Sequence, residues 1–166
     1  MLRQKLITLY DQEGKSSKAV TVSELGDLSV AELNSYLANL QIAIAIHAAH
    51  LEKCETELTQ TFMYPSVEAM RNGMKCYADG SVQRKTEKFN ASMAALNIPG
   101  IAAIKGPDAA EQARTKEFFQ QATKTATMYL QIVKVGENLQ TNHKILNSVI
   151  YAKEAVVENK MEGLKK

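Results

Sequence analysis

Two long stretches of this chain repeat apolar residues at alternating steps of three and four, the spacing of helices that pack along one another. In the first stretch, Ser29 and Glu32 form a capping-box pattern that predicts a helix start. The stretch ends before Pro65, because proline disfavours a helical conformation at the preceding residue. We therefore predict a helix of about 33 residues. Its repeating positions are Leu33, Leu37, Leu40, Ile44, His47, Leu51, Cys54 and Leu58.

The second stretch begins at Asp108, which precedes Glu111 at capping-box spacing, and contains no proline up to the last residue. A continuous helix over 109–162 would be about 80 Å long, longer than a compact globule of this chain length is wide. The apolar rhythm passes Gly136 unbroken. We therefore favour an elongated antiparallel bundle over a break at Gly136–Asn142, and leave continuity through Gly136 open. The repeating positions are Ala122, Thr125, Tyr129, Ile132, Gly136, Leu139, His143, Leu146, Ile150, Lys153 and Val157.

Two shorter helices are predicted between the long ones. Ser66 can cap a helix that runs to about Ala78, and Ser81 can cap the next. Residues 98–107 contain two prolines and two glycines, a composition typical of a loop. The predicted architecture thus has about four helices, with the first and last the longest.

The N-terminal segment has a different pattern. Two β-rich runs, residues 6–10 and 19–22, flank a polar, turn-like stretch and predict a hairpin with a long loop. A two-stranded hairpin is marginal alone, so it must pack on the helices or pair with another chain. We predict a mostly α protein, with a hairpin and linker over 1–28 and a helical bundle over 29–166, as a single domain overall.

Composition narrows the class of protein. The chain has 166 residues, 45% apolar and 23% charged, an ordinary balance for one globular domain. Aromatic residues are 6% and prolines only three, which argues against a sandwich or barrel of many short strands. Cys54 and Cys76 form no CxxC pair, a usage typical of a reducing compartment. With neither a signal peptide nor a membrane-spanning run recognised, we expect a cytoplasmic protein.

Sequence motifs for catalysis are lacking: we find no phosphate-binding glycine loop, GxSxG, HExxH or CxxC. His47, His50, Cys54 and Glu57 lie along one helical stripe and are all zinc or iron ligand types, and His143 could add a ligand from a facing helix. Carboxylate-bridged bundles, however, need Glu-x-x-His pairs, and this chain has none. We interpret His47 and Cys54 as seam residues and expect no enzyme activity, cofactor or metal.

A basic cluster is the second candidate site. Residues 23–62 carry six acidic residues and one basic residue, whereas the two predicted short helices are basic. Such a cluster can contact nucleic-acid phosphates, but few aromatic residues accompany it to stack on bases. We favour the interpretation of a solvated face, or of one that pairs with the acidic first helix. The cluster consists of Arg71, Lys75, Arg84, Lys85 and Lys88.

We predict a non-enzymatic structural, assembly or adaptor subunit that acts through long-helix contacts with protein partners, in a homo-oligomer or a multi-subunit complex. The alternative is a helical nucleic-acid-binding subunit that uses the basic patch over 71–88, and salt dependence separates the two. A metal-binding bundle is a distant third. We expect the leucines of the seam to be buried; the seam or interface residues are Leu40, His47, Leu51, Leu139, His143 and Leu146.

Overall fold

The protein is mostly α-helical, with a small two-stranded hairpin at its N-terminal end, as the sequence predicts. The computed structural model describes residues 6–96 and 108–164, so the loop predicted over 98–107 lies outside the described residues. Within these ranges the first and last long helices of the bundle are both present. The elements are β1 (Leu6–Tyr10), β2 (Ser16–Thr21), α1 (Val22–Gly26), α2 (Val30–Thr61), α3 (Val67–Ala78), α4 (Ser81–Ala95) and α5 (Ala109–Leu164).

The chain divides into two compact units. The terminal unit comprises residues 1–52 and 133–166, and the central unit comprises residues 53–132. Helices α2 and α5 contribute residues to both units, and α5 is continuous through Gly136. The sequence left open whether the last helix continues through Gly136, and the structure shows that it does.

The hairpin of the terminal unit has a tighter turn than the sequence suggests. Its strands pair antiparallel, with Ile7 opposite Val20. The carboxylate of Asp11 accepts hydrogen bonds from the backbone N–H groups of Glu13 at 2.8 Å and Lys15 at 3.0 Å, which closes the turn. Because β2 already begins at Ser16, the turn is shorter than the polar stretch that was expected to form it.

The hairpin packs on the helices of its own unit rather than standing alone. Its inward side chains join an apolar cluster with α1, α2 and α5, and fully burying one such side chain stabilises a fold by about 1.5–3 kcal/mol. The buried members of this cluster are Ile7, Leu9, Val20, Leu25, Leu33, Leu40, Ala43, Leu139, Leu146 and Ile150.

Helices α2 and α5 run antiparallel in the terminal unit. The Lys153 ammonium donates hydrogen bonds to the backbone carbonyls of Gly26, at 2.7 Å, and Leu28, just before α2 begins. Further along α2, His47 lies against Gly136, seventeen positions earlier on α5 than Lys153. Later residues of α2 therefore contact earlier residues of α5, which shows that the two helices are antiparallel.

Helix starts match the sequence at α2 and differ at α1 and α4. At α2, the Ser29 hydroxyl accepts a hydrogen bond from the Glu32 N–H at 3.1 Å, which completes the predicted capping box. The short helix α1 was not predicted. At α4 the N-cap is Gly80, with φ +80°, and not Ser81, because Ser81 is already helical and donates its N–H to the Asp79 carboxylate at 2.8 Å.

In the central unit, the α2–α3 corner closes without a glycine. The Tyr64 N–H bonds to the Thr59 carbonyl at 2.9 Å and the Met63 N–H bonds to the Gln60 carbonyl at 3.2 Å, the hydrogen-bond pattern of a Schellman motif. Met63 takes the left-handed position of this motif, with φ +56°. The corner is compact, since a Cβ on Gly73 of α3 would lie 1.9 Å from the Tyr64 hydroxyl.

Candidate interaction faces

A buried carboxylate joins three helices of the central unit. Glu55 of α2 accepts two hydrogen bonds from the Arg71 guanidinium of α3, at 2.6 Å from Nε and 3.0 Å from Nη2. It also accepts one from the Tyr129 hydroxyl of α5, at 2.6 Å. The Glu55 side chain is 9% exposed, whereas that of Arg71 is 55% exposed. One face of the ion pair is therefore closed by protein and the other is open to water.

These contacts shift the proton affinities of the three groups in a consistent way. The hydrogen bonds from Arg71 lower the pKa of Glu55, and the one from Tyr129 adds to the effect. Burial and the neighbouring carboxylate raise the pKa of Tyr129 to about 12. The carboxylate is therefore ionised and the phenol protonated at neutral pH, a combination suited to holding a fixed structure.

Arg71 therefore has a structural role that the other members of the predicted basic cluster do not share. Its guanidinium is bound to Glu55, whereas Lys75, Lys85 and Lys88 extend from the exposed surfaces of α3 and α4. Arg84 is also exposed, and its Nη1 donates to the Asp79 carbonyl at 3.2 Å. The basic surface available to a partner is thus concentrated on α4 and the end of α3.

The histidine and cysteine stripe has a packing role at one position. His47 is half-buried, and a Cβ on Gly136 would lie 2.8 Å from its Cε1, so this glycine lets the ring sit directly on the α5 backbone. Cys54 is half-buried, and His50 and Glu57 are exposed. Across the part of the chain that the structure describes, no three His, Cys, Asp or Glu side chains are grouped to hold a metal ion.

The predicted seam residues differ in burial. Leu40, Leu139 and Leu146 are buried, at 2%, 4% and 1% exposure, whereas Leu51 is half-buried. His47 and His143 are also half-buried, and the Nδ1 of His143 lies 3.3 Å from the Asn147 amide nitrogen. The neighbouring Asn142, not singled out from the sequence, is the buried polar residue of this part of α5.

Helix α2 carries a second apolar row on the side away from the core. Ile42 is 41% exposed and Ile46 is 53% exposed. Three alanines extend the row, and we call these five residues the outer face of α2: Ala38, Ile42, Ala45, Ile46 and Ala49. The hairpin turn lies against both isoleucines, since a Cβ on Gly14 would lie 2.9 Å from the Ile46 Cδ1 and 3.3 Å from the Ile42 Cγ2.

Helix α4 has no buried side chain at all. Phe89 is 64% exposed, Leu96 is 47% exposed, and Met93 between them is half-buried. The sequence places these three residues on one helical face, with the spacing expected of a core-facing row. In the structure this row, which we call the apolar face of α4, lies largely in contact with solvent.

The groove between α2 and α5 in the terminal unit, about 510 Å³ in volume, has few reactive groups. The titratable residues that line it are His47, Glu137 and Lys144. The Thr141 hydroxyl in this groove donates to the Glu137 backbone carbonyl at 3.0 Å and is thus already engaged. The groove offers no paired nucleophile and base from these side chains.

Comparison with known proteins gives no assignment: no family model, curated protein or solved structure matches this chain. Within the described ranges, no helix is both apolar enough and long enough to cross a membrane. Function is therefore argued from the faces and contacts above.

Proposed function

We propose that the protein is a non-enzymatic assembly or adaptor subunit, which binds protein partners through the outer face of α2. The exposed row of Ile42, Ala45, Ile46 and Ala49 carries this proposal. Over the same two turns the opposite side of α2 buries Leu40 and Ala43. A helix that is apolar on both sides is characteristic of a buried helix, which supports an assembly that covers the outer face.

The spacing on the outer face suits a second helix. Ala38, Ile42, Ala45 and Ala49 follow steps of four, three and four, the rhythm of a helix–helix seam. Small side chains let two helix backbones approach closely, and each isoleucine offers apolar area to bury. At about 25 cal/mol for each Å² of apolar surface removed from water, covering this row favours association. The partner helix comes from a second copy or from another subunit.

The cytoplasm is the compartment that we propose for this assembly. Cys54 and Cys76 form no disulfide, although both lie within the described chain. Reduced cysteines are usual where glutathione keeps thiols reduced.

The test replaces an outer-face alanine by a charged residue. Ala45→Glu keeps a good helix former and adds a charge that would be buried at a seam. We expect loss of self-association in sedimentation velocity, or loss of a partner that co-purifies with the untagged protein. The melting temperature of the isolated chain should change little. Asn138→Glu is the control, because Asn138 is exposed on α5 and the change adds the same charge away from the row.

Two results would contradict the proposal. One is an unchanged assembly in Ala45→Glu, measured at the protein concentration where wild type associates. The other is a wild-type chain that stays monomeric over the whole concentration range and co-purifies with no protein. A change of equal size in Asn138→Glu would also count against this face, since it would reflect added surface charge in general.

A further inference from the structure

The surface of α4 combines two features that the assembly proposal does not use. Its apolar face is largely exposed, with Phe89 at 64% and Leu96 at 47%. The exposed Lys85 lies beside Phe89 and the exposed Lys88 on the same flank of that face, whereas Arg84 lies toward the opposite side of the helix. Glu87 is the helix's single acidic residue. The helix from Ser81 to Ala95 thus carries a net charge of +2 beside an uncovered apolar row.

The described part of the central unit leaves this face largely exposed. On the opposite flank, α4 faces α5 across a cleft of about 340 Å³, whose lining includes Asn90, Lys116 and Phe119. Among the described residues, neither Lys85 nor Lys88 forms an ion pair. Both the charge and the apolar area on this side of α4 are therefore exposed in the part of the chain that the structure describes.

We infer that α4 docks on an anionic lipid surface, with Phe89 and Leu96 at the boundary of headgroups and acyl chains and Lys85 and Lys88 on the headgroup phosphates. A helix with a basic face beside exposed Phe and Leu has the composition of helices that lie in the membrane interface. The attraction comes from two sources, burial of apolar area and neutralisation of anionic lipid.

The positive charge and the apolar area of α4 together favour an anionic bilayer over a second copy of the chain or a nucleic acid. A second copy of α4 would bring a second net charge of +2 against the first, which opposes self-docking. A nucleic acid would engage the cations but leave Leu96 and Met93 in water, because phosphate contacts need no aliphatic surface. An anionic bilayer engages both features at once.

Vesicle binding of the full chain tests the charge contribution. We expect co-sedimentation with vesicles that contain phosphatidylglycerol, and none with pure phosphatidylcholine vesicles. Each basic side chain near such a surface strengthens binding roughly fivefold, so Lys85→Gln/Lys88→Gln should weaken it about thirtyfold. Lys124→Gln/Lys134→Gln removes the same charge from exposed positions on α5 that do not line the cleft with α4, and should have a much smaller effect. Equal losses in both double variants would overturn the docking of α4.

Insertion is tested by a fluorophore, because the chain contains no tryptophan. Phe89→Trp places the only indole on the apolar face, and we expect a blue-shifted emission with anionic vesicles and quenching by brominated acyl chains. Met128→Trp is the control, since Met128 is 60% exposed on α5 and lies off this face. An unshifted emission for Phe89→Trp in the presence of vesicles would overturn the inference. So would binding to single-stranded RNA, at the same salt, that is tighter than binding to anionic vesicles.

Discussion

The terminal and central units use the same two helices but join them by different chemistry. In the terminal unit, α2 and α5 meet through aliphatic side chains, such as Leu40 and Leu146, each almost fully buried. In the central unit, the two helices are linked by the hydrogen bond from Tyr129 to Glu55, which also binds Arg71 of α3. One heptad rhythm in the sequence therefore supports two kinds of helix contact.

The two kinds of contact differ in how much they contribute to stability and to the register of the helices. Aliphatic packing is non-directional and roughly proportional to buried area, so it supplies stability with little demand on register. A carboxylate that accepts three hydrogen bonds demands specific positions on three helices, because losing one donor leaves a buried charge poorly satisfied. We therefore expect the α2–α5 contact of the terminal unit to depend on buried volume, and that of the central unit to depend also on the donors to Glu55.

The largest effect should follow from truncating the aliphatic contact. Leu40→Ala and Leu146→Ala remove buried side chains, and each should lower the free energy of unfolding by about 2–5 kcal/mol. Leu51→Ala is the internal comparison, since Leu51 is half-buried and should cost distinctly less. Urea denaturation followed by circular dichroism measures all three. Equal losses at the three leucines would contradict the assignment of the core.

Heptad spacing, capping chemistry and β-rich runs predict most elements of this fold, but not all of them. The start of α2 at Ser29 and Glu32, its end before Pro65 and the hairpin strands all follow from local sequence, because caps, proline and β-branched runs act on their own neighbours. The short helix α1 was missed, since its one buried side chain, Leu25, offers no repeat to detect.

The network around Glu55 illustrates what the sequence leaves open. Tyr129 lies on the predicted seam, but Glu55 is one position past the seam residue Cys54, on the acidic first helix, and the sequence does not single it out. Its partner Arg71 was grouped with a basic cluster. Which of several carboxylates an arginine binds depends on the rotation of three helices, and a local pattern does not fix that rotation. The exposure of the apolar face of α4 was also not predicted, because its residues have the spacing of a row that faces a core.

A smaller effect is expected from removing a donor to the buried carboxylate. Arg71→Ala should lower the free energy of unfolding by about 2 kcal/mol, the scale of a hydrogen bond to a charged group. Lys75→Ala, one turn later on α3 and exposed, is the control and should change it little. Chemical denaturation at pH 7 measures both. Similar losses in the two variants would mean that Arg71 acts as general surface charge.

The lowered pKa of Glu55 predicts the direction in which the stability of the fold changes with pH. Because the pKa of Glu55 is lower in the folded state, its ionisation stabilises the fold fully above the unfolded value of about 4.3. That stabilisation is lost as the pH falls below about 4.3 and through the lower, folded pKa. Glu55→Gln should therefore be less stable than wild type at pH 7, and the gap should narrow on acidification. A gap that stays constant down to pH 3 would argue against a role for this carboxylate.

The smallest effect concerns the close approach of α2 and α5 at Gly136. Alanine is a better helix former than glycine by about 1 kcal/mol, so Gly136→Ala should stabilise α5 if nothing opposes it. The His47 ring opposes it, because the new Cβ would lie 2.8 Å from Cε1. We expect little or no gain from Gly136→Ala in the wild-type chain. In a His47→Ala background, the same change should gain about 1 kcal/mol. A double-mutant cycle measured by thermal unfolding gives this difference directly. If Gly136→Ala stabilises both backgrounds equally, the ring does not rest on the α5 backbone, and the glycine serves no packing purpose there.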